Sequence, residues 1–197
     1  MQQRFAMKKS EIRHIYKERR KGLTTAQILK LDDLMLIKFQ QLLIDIPAAI
    51  MTYTPMQRWN EFDPQLITDY CYFKNPFHQL YYPFVTDIDG ISIMLPVLVN
   101  DETEFEKTEL GFVQPVAGID VSPAAIDLII VPLLAFDKRG YRVGYGKGYY
   151  DRFLINCRAD AIKIGFSYFG PVDTIEDANQ FDVPLDYCIT HDNIYTF

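Results

Sequence analysis

Apolar positions along this chain follow two rhythms. From Thr24 to Ile44 they recur every three or four residues, with Ile28, Leu31, Met35 and Leu42 on one face and Thr24 or Thr25 placed as N-cap, which predicts a helix. Lys8 to Lys21 is also helical in pattern and very basic. A third helix is predicted over Phe62–Phe73, with Asp63 as N-cap and Pro64 at the first turn, where its missing N–H is no loss. Between and beyond these lie β-rich runs at Ala48–Tyr53, Gln79–Val85, Ile91–Val99, Ile126–Phe136, Ala161–Tyr168 and Asp186–Thr190. The run Ile126–Phe136, "IDLIIVPLLAF", is apolar on both faces, the pattern of a central strand covered on both sides. A last amphipathic helix is expected over Tyr149–Arg158. Strands alternating with helices predict an α/β fold: a single three-layer domain over residues 1–197, its mostly parallel or mixed central sheet flanked by helices. No internal repeat or low-complexity linker divides the chain.

Composition narrows the function classes. A chain of 197 residues suits one α/β domain, and 49% hydrophobic with 23% charged residues excludes wholesale disorder. A net charge of −6 gives no reason to expect nucleic acid or an anionic membrane as partner. The longest apolar run, Ala124–Phe136, is broken by Asp127 and Pro132 and falls short of the ~20 residues a membrane helix needs. The first 22 residues lack the apolar run of a secretory leader, and Met7 is a second candidate start. Cys71, Cys157 and Cys188 are odd in number, far apart and without CxxC spacing, so they read as buried thiols of a reducing compartment. A soluble, cytoplasmic, monomeric protein is expected.

One stretch carries unusual chemistry. "FDKRGYRVGYGKGYYDRFL" (Phe136–Leu154) places Gly140, Gly144, Gly146 and Gly148 among Tyr141, Tyr145, Tyr149 and Tyr150. It follows a buried strand and leads into a helix. Glycines let backbone N–H groups approach an anion without a Cβ in the way. A helix start offers unpaired N–H groups. Arg142 and Lys147 supply positive charge, and Asp151 is a carboxylate that can hold Mg²⁺. The GxGxG spacing misses the dinucleotide fingerprint, and Lys147 is followed by glycine, not Ser or Thr, so it is no P-loop. A phosphate-binding loop and a mobile, turn-rich surface loop both fit the spacing; the tyrosines favour the former. Lys9 and Arg13, four apart, share a helix face and can reach one polyphosphate or simply be solvated. Glu61 and Asp182 are lone carboxylates, and Trp59 reads equally as a core plug or a pocket wall.

The segment "DLIIVPLLAFDKRGYRVGYGKGYYDRFL" (Asp127–Leu154) resembles the signature of the 5-formyltetrahydrofolate cyclo-ligase family, with Val143 in place of the usual leucine. "KKSEIR", "NEFDPQLI", "LGFVQP" and "FDVPLDYCIT" are similar, in the same order, to that family's other motifs, so the resemblance runs from residue 9 to 190. It implies an ATP- and Mg²⁺-dependent enzyme that converts 5-formyltetrahydrofolate, a reduced folate, to 5,10-methenyltetrahydrofolate. By the same resemblance Lys9, Arg13 and the run Arg142, Gly144, Gly146, Lys147, Gly148, Tyr149 and Tyr150 would bind ATP, with Lys147 and Arg142 catalytic. Asp151 and Asp182 would hold Mg²⁺, and Glu61, Tyr145 and Tyr149 would contact the folate. Tyr145 stands where many members carry arginine, Phe181 replaces the usual residue before Asp182, and "QRWNE" carries a small insertion. A catalytically silent folate- or nucleotide-binding module of the same fold is the alternative.

Overall fold

The computed structural model describes residues 6–197. Residues 1–5, part of the stretch read as lacking a leader, lie outside the described residues. Eight strands form the main sheet: β1 (Ala49–Met51), β2 (Gln79–Ile88), β3 (Ile91–Leu98), β4 (Ile119–Asp120), β5 (Leu128–Val131), β6 (Ile162–Phe166), β7 (Tyr187–Ile189) and β8 (Ile194–Thr196). Their order is β8-β7-β6-β5-β1-β2-β3-β4. The inner five, β7 to β2 in that order, are parallel, and antiparallel strands close both edges. This is the expected α/β class with a mixed sheet.

The central strand shows how the layers arise. Leu128, Ile129, Ile130 and Val131 are all buried, and side chains alternate across the sheet. Leu128 and Ile130 join Met35, Phe39, Ile67 and Cys71 on one face, under helices α2 (Thr25–Gln41) and α3 (Gln65–Lys74). Ile129 and Val131 join Phe153 and Leu154 of α4 (Tyr149–Leu154) on the other. Thr24 caps α2 through a reciprocal pair with Gln27. Asp63 takes the N–H of Gln65 as expected, although Pro64 holds the cap position itself. Helix α1 (Lys9–Lys21) stands apart from these layers and packs Ile12 and Tyr16 against Leu134, Ala135, Val143 and Ile175.

Several expectations need correction. The strand predicted over Ile126–Phe136 ends at Val131, because Pro132 has no N–H to continue the ladder. Ala135–Phe136 instead pairs antiparallel with Arg142–Val143 in a separate hairpin. The helix predicted to Arg158 ends at Leu154. A hairpin of Phe105–Lys107 with Val113–Pro115 and the edge strands β4 and β8 had no counterpart in the pattern, being too short for a periodic signal. All three thiols are free, with Cys71 and Cys188 buried and Cys157 partly exposed.

Candidate active site

The candidate site is built past the carboxyl end of β5, where ligands of open α/β sheets tend to bind. The Ala135–Val143 hairpin sets it up. Asp137, fully buried, closes the hairpin: Oδ1 accepts the N–H groups of Arg139 and Tyr141, and Oδ2 accepts the Arg139 guanidinium and the N–H of Ile175. Val143 then points into the core beside α1, and its strand neighbour Arg142 turns the opposite way.

The loop that follows requires glycine at two positions, whereas Gly144 has room for a side chain. Gly146 and Gly148 have φ of +96° and +68°, a region that side chains rarely enter. A Cβ on Gly148 would also lie 3.0 Å from the Arg152 guanidinium, which donates to the Lys147 carbonyl. Arg13 Nε donates to the Gly144 carbonyl at 2.9 Å, so α1 and Arg152 grip the loop from two sides. Helix α4 is only six residues long, so the loop and its cations, more than a helix dipole, define this region.

Loop, α1 and neighbouring segments enclose a cavity of about 480 Å³. Six cationic side chains reach it: Lys9, Arg13, Lys17, Arg58, Arg142 and Lys147. Three carboxylates, Glu61, Asp151 and Asp182, face them. The lining therefore carries an excess of three positive charges in a chain of net charge −6, a balance that favours an anion. Tyr53, Trp59, Tyr145, Tyr149 and Tyr150 supply flat walls. Every residue assigned by family resemblance therefore lines one space. Trp59 belongs to its wall, with the Lys17 ammonium 4.5 Å from the ring centroid.

Individual side chains are engaged in different ways. Lys9 Nζ bonds both oxygens of Asp182 at 2.6 Å, and Asp182 Oδ2 also accepts the N–H of Asn179. Asp151 Oδ1 accepts from Arg142 Nη2 at 2.9 Å and from Val183 N at 3.1 Å, leaving Oδ2 open. Arg142 donates in addition to the Val183 carbonyl. It is buried, and the carboxylate of Asp151 counters the burial that pulls its proton affinity down. Its guanidinium braces the metal-type carboxylate and the chain beside Asp182, whereas Lys147 lies exposed at the mouth of the cavity. Glu61 is nine-tenths buried; Oε2 accepts the Met56 N–H at 2.8 Å and Oε1 has no partner. Burial pushes the Glu61 carboxyl up, and the Arg20 charge restrains it. The hydroxyl of Tyr150 is likewise buried without a partner.

No group of three or more His, Cys, Asp or Glu gathers as a ready metal centre among the described residues. Two carboxylates with one open oxygen on Asp151 still fit Mg²⁺, which characteristically takes one or two carboxylates and completes its shell with phosphate and water. The donors suit a cation that arrives chelated to a polyphosphate.

Lys17 and Arg20 were not singled out from sequence. Lys17 continues the four-residue spacing of Lys9 and Arg13, a usable signal; Arg20 carried none, since a buried arginine looks like its solvated neighbours Arg19 and Lys21. The hairpin residues Leu110, Phe112 and Val113 also line the cavity, and the Arg58 guanidinium ties to the Leu110 carbonyl at 2.8 Å.

Known proteins resemble this chain in sequence and fold. A family model for the 5-formyltetrahydrofolate cyclo-ligase family matches residues 6–192. The 5-formyltetrahydrofolate cyclo-ligase of Mycoplasma pneumoniae is 36% identical over 103 residues, 52% of this chain and 57% of the relative. That alignment therefore spans little more than half the relative's length. The solution structure of Aquifex aeolicus 5,10-methenyltetrahydrofolate synthetase superposes with a TM-score of 0.76 at 27% identity, covering 96% of this chain and 93% of that one. A 5,10-methenyltetrahydrofolate synthetase from Mycoplasma pneumoniae gives 0.70 at 26% identity, covering 94% and 99%. With its glycine loop, its paired carboxylates and a family match over nearly all described residues, the chain belongs to the 5-formyltetrahydrofolate cyclo-ligase family.

Proposed function

We propose that this protein closes 5-formyltetrahydrofolate to 5,10-methenyltetrahydrofolate at the expense of ATP, releasing ADP and phosphate. The observation that carries the reading is the pairing, in one cavity, of an excess of cations around a glycine loop with a partly buried aromatic and carboxylate end. The first suits a triphosphate and the second a pterin. Free thiols and the lack of a helix long and apolar enough to cross a membrane among the described residues agree with a cytoplasmic enzyme.

The chemistry calls for positioning more than for a protein nucleophile. A formamide oxygen is a poor leaving group. In this reading it attacks the γ-phosphorus, ADP departs, N10 adds to the formyl carbon and loses its proton, and phosphate leaves. Charge must be neutralised on the transferring phosphoryl group, which is the work of cations and backbone N–H groups. In this reading Lys147, Lys9, Arg13 and the N–H groups of Gly144, Gly146 and Gly148 would serve that end. Arg142 acts by holding Asp151. Asp151 and Asp182 would hold Mg²⁺, which would supply positive charge to offset that of the phosphates. Glu61 and the faces of Tyr145 and Tyr149 take the pterin side.

The test is the absorbance of 5-formyltetrahydrofolate mixed with the protein and Mg²⁺, with and without ATP. The long-wavelength band of the methenyl product is expected only with ATP. Folded protein that binds ATP yet forms no band would leave a binding module and refute the enzyme.

A further inference from the structure

Arg20 has no role in the chemistry above, yet it is one of the largest fully buried side chains of the molecule, at 1% exposure. It sits near the carboxyl end of α1, where a helix dipole favours a cation but does not require burial. One guanidinium nitrogen donates to the Tyr145 hydroxyl at 3.1 Å and the other to the Leu133 carbonyl; Nε has no partner. Its own carbonyl accepts the Asn60 side chain at 2.9 Å, which ties α1 to the residue just before Glu61. A buried charge needs a countercharge. The groups that face Glu61 are Arg20 from α1, Tyr53 after β1, the Met56 N–H, Tyr145 from the glycine loop and Tyr150 from α4. Among these Arg20 alone is cationic. The Tyr145 hydroxyl takes the Arg20 hydrogen bond, and both charges act on its proton, Glu61 holding it and Arg20 loosening it.

We propose that Arg20 is a positioning residue for the folate half of the site, holding Glu61 as a charged acceptor, directly and through the Tyr145 hydroxyl, with Oε1 free for a ring N–H of the ligand. This rests on the reading that Glu61 meets the folate. It explains why the guanidinium is buried behind Tyr145 while Glu61 keeps one oxygen unpaired. Without the cation, the burial of Glu61 would act unopposed by that charge and favour the protonated carboxyl, a poorer acceptor.

The test uses the full chain and three variants: Arg20→Gln, neutral but still able to donate to the Leu133 carbonyl; Arg20→Lys, which keeps the charge; and Arg20→Gln combined with Glu61→Gln. Affinity for 5-formyltetrahydrofolate is read from quenching of Trp59, the single tryptophan, which lines the cavity. KM for each substrate is measured from pH 6 to 9. For Arg20→Gln we expect folate KM to rise about tenfold at pH 7 and to recover as pH rises and Glu61 ionises, with the KM for ATP within about twofold of wild type. Arg20→Lys should keep the wild-type pH profile, and the double variant should lose the pH dependence. A pH-independent loss, or equal losses for folate and ATP, would overturn the proposal. Should Arg20→Gln not fold, carbon-13 labelling of glutamate carboxyls in the wild type decides the matter: Glu61 ionised at pH 7 in the folate complex supports the proposal, and Glu61 protonated there refutes it. Wild-type protein that neither binds nor converts 5-formyltetrahydrofolate would overturn the functional reading together with this one; a working wild type with an unchanged Arg20→Gln would overturn this one alone.

Discussion

Asp32 offers a sharp test of the electrostatics of this fold, away from the cavity. It projects from α2 into the core, is 7% exposed, and its Oδ1 has no hydrogen-bond partner. The neighbouring Tyr168 offsets only part of the burial, and Asp63 and Asp33 add like charge. Burial is the main cause pushing its carboxyl from 3.8 to about 7. The folded protein therefore keeps a proton that the unfolded chain releases. Folding is opposed progressively as pH rises from about 4 to about 7, and the opposition is constant above that.

A shift of about three units corresponds at most to ~4 kcal/mol. Asp32 is not wholly sealed from solvent, so hydration and relaxation reduce this, and about 1–2 kcal/mol is a sound expectation at pH 8. Asp32→Asn carries no charge at any pH and should be more stable than wild type by that amount at pH 8. The difference should shrink toward zero at pH 4. Urea unfolding followed by Trp59 fluorescence at pH 4, 5.5, 7 and 8 gives the midpoints directly. A stability difference that does not grow between pH 4 and 7, or that grows only above pH 8, would refute the assignment to Asp32.

Three further expectations concern the site. Lys147→Ala removes an exposed loop cation, so unfolding free energy should change by less than about 0.5 kcal/mol while turnover falls about a hundredfold; equal damage to both would contradict the phosphate role. Asp137→Ala leaves the N–H groups of Arg139, Tyr141 and Ile175 without their acceptor and should cost about 3 kcal/mol in denaturant unfolding, with ATP affinity falling because the hairpin beneath the loop loosens. Lys9→Met frees Asp182 from its ion pair. Without nucleotide it should bind Mn²⁺, followed by electron paramagnetic resonance, several-fold more tightly than wild type, yet bind Mn²⁺-ATP about tenfold more weakly. Weaker binding of both would show that Lys9 does not compete for the carboxylate.

Much of the architecture was legible because long periodic segments carry their own signal. α2 and the doubly apolar β5 were readable for that reason, and so was the α/β class. Failures came where a single residue decides. Pro132 cuts a run that hydrophobicity alone would continue to Phe136, and the two-residue strand β4 is too short to show a period. In the site, the local motif from Arg142 to Asp151 could be read as a unit, and Lys9 and Arg13 by helical spacing. What sequence could not display was which cations are free and which are engaged. Arg142 and Lys147 look alike as letters, but one is buried against Asp151 and the other exposed. Arg20 and Tyr145 are 125 positions apart, so no local rule joins them.

That division of labour among the cations explains how so many charges share a small cavity. Arg142 is held by Asp151, Lys9 by Asp182, Arg13 by the Gly144 carbonyl and Arg58 by the Leu110 carbonyl, so four of the six are engaged within the protein. Lys17 rests over aromatic rings, which favour a cation without neutralising it. A bound polyphosphate would thus meet Lys9, Arg13 and Arg142 already oriented by internal acceptors, and would exchange with those acceptors, whereas the exposed Lys147 would give up water. The cost of exchange falls on the pairs that must open, Lys9–Asp182 first among them. Arg142 is the more buried cation, and both it and Asp151 are tied to the Val183 backbone, so theirs is the pair suited to stay closed. On this reasoning the segment from Asn179 to Val183 is hinged at one carboxylate and anchored at the other: Asp182 can release Lys9 to the phosphates while Asp151 keeps the neighbouring chain in place.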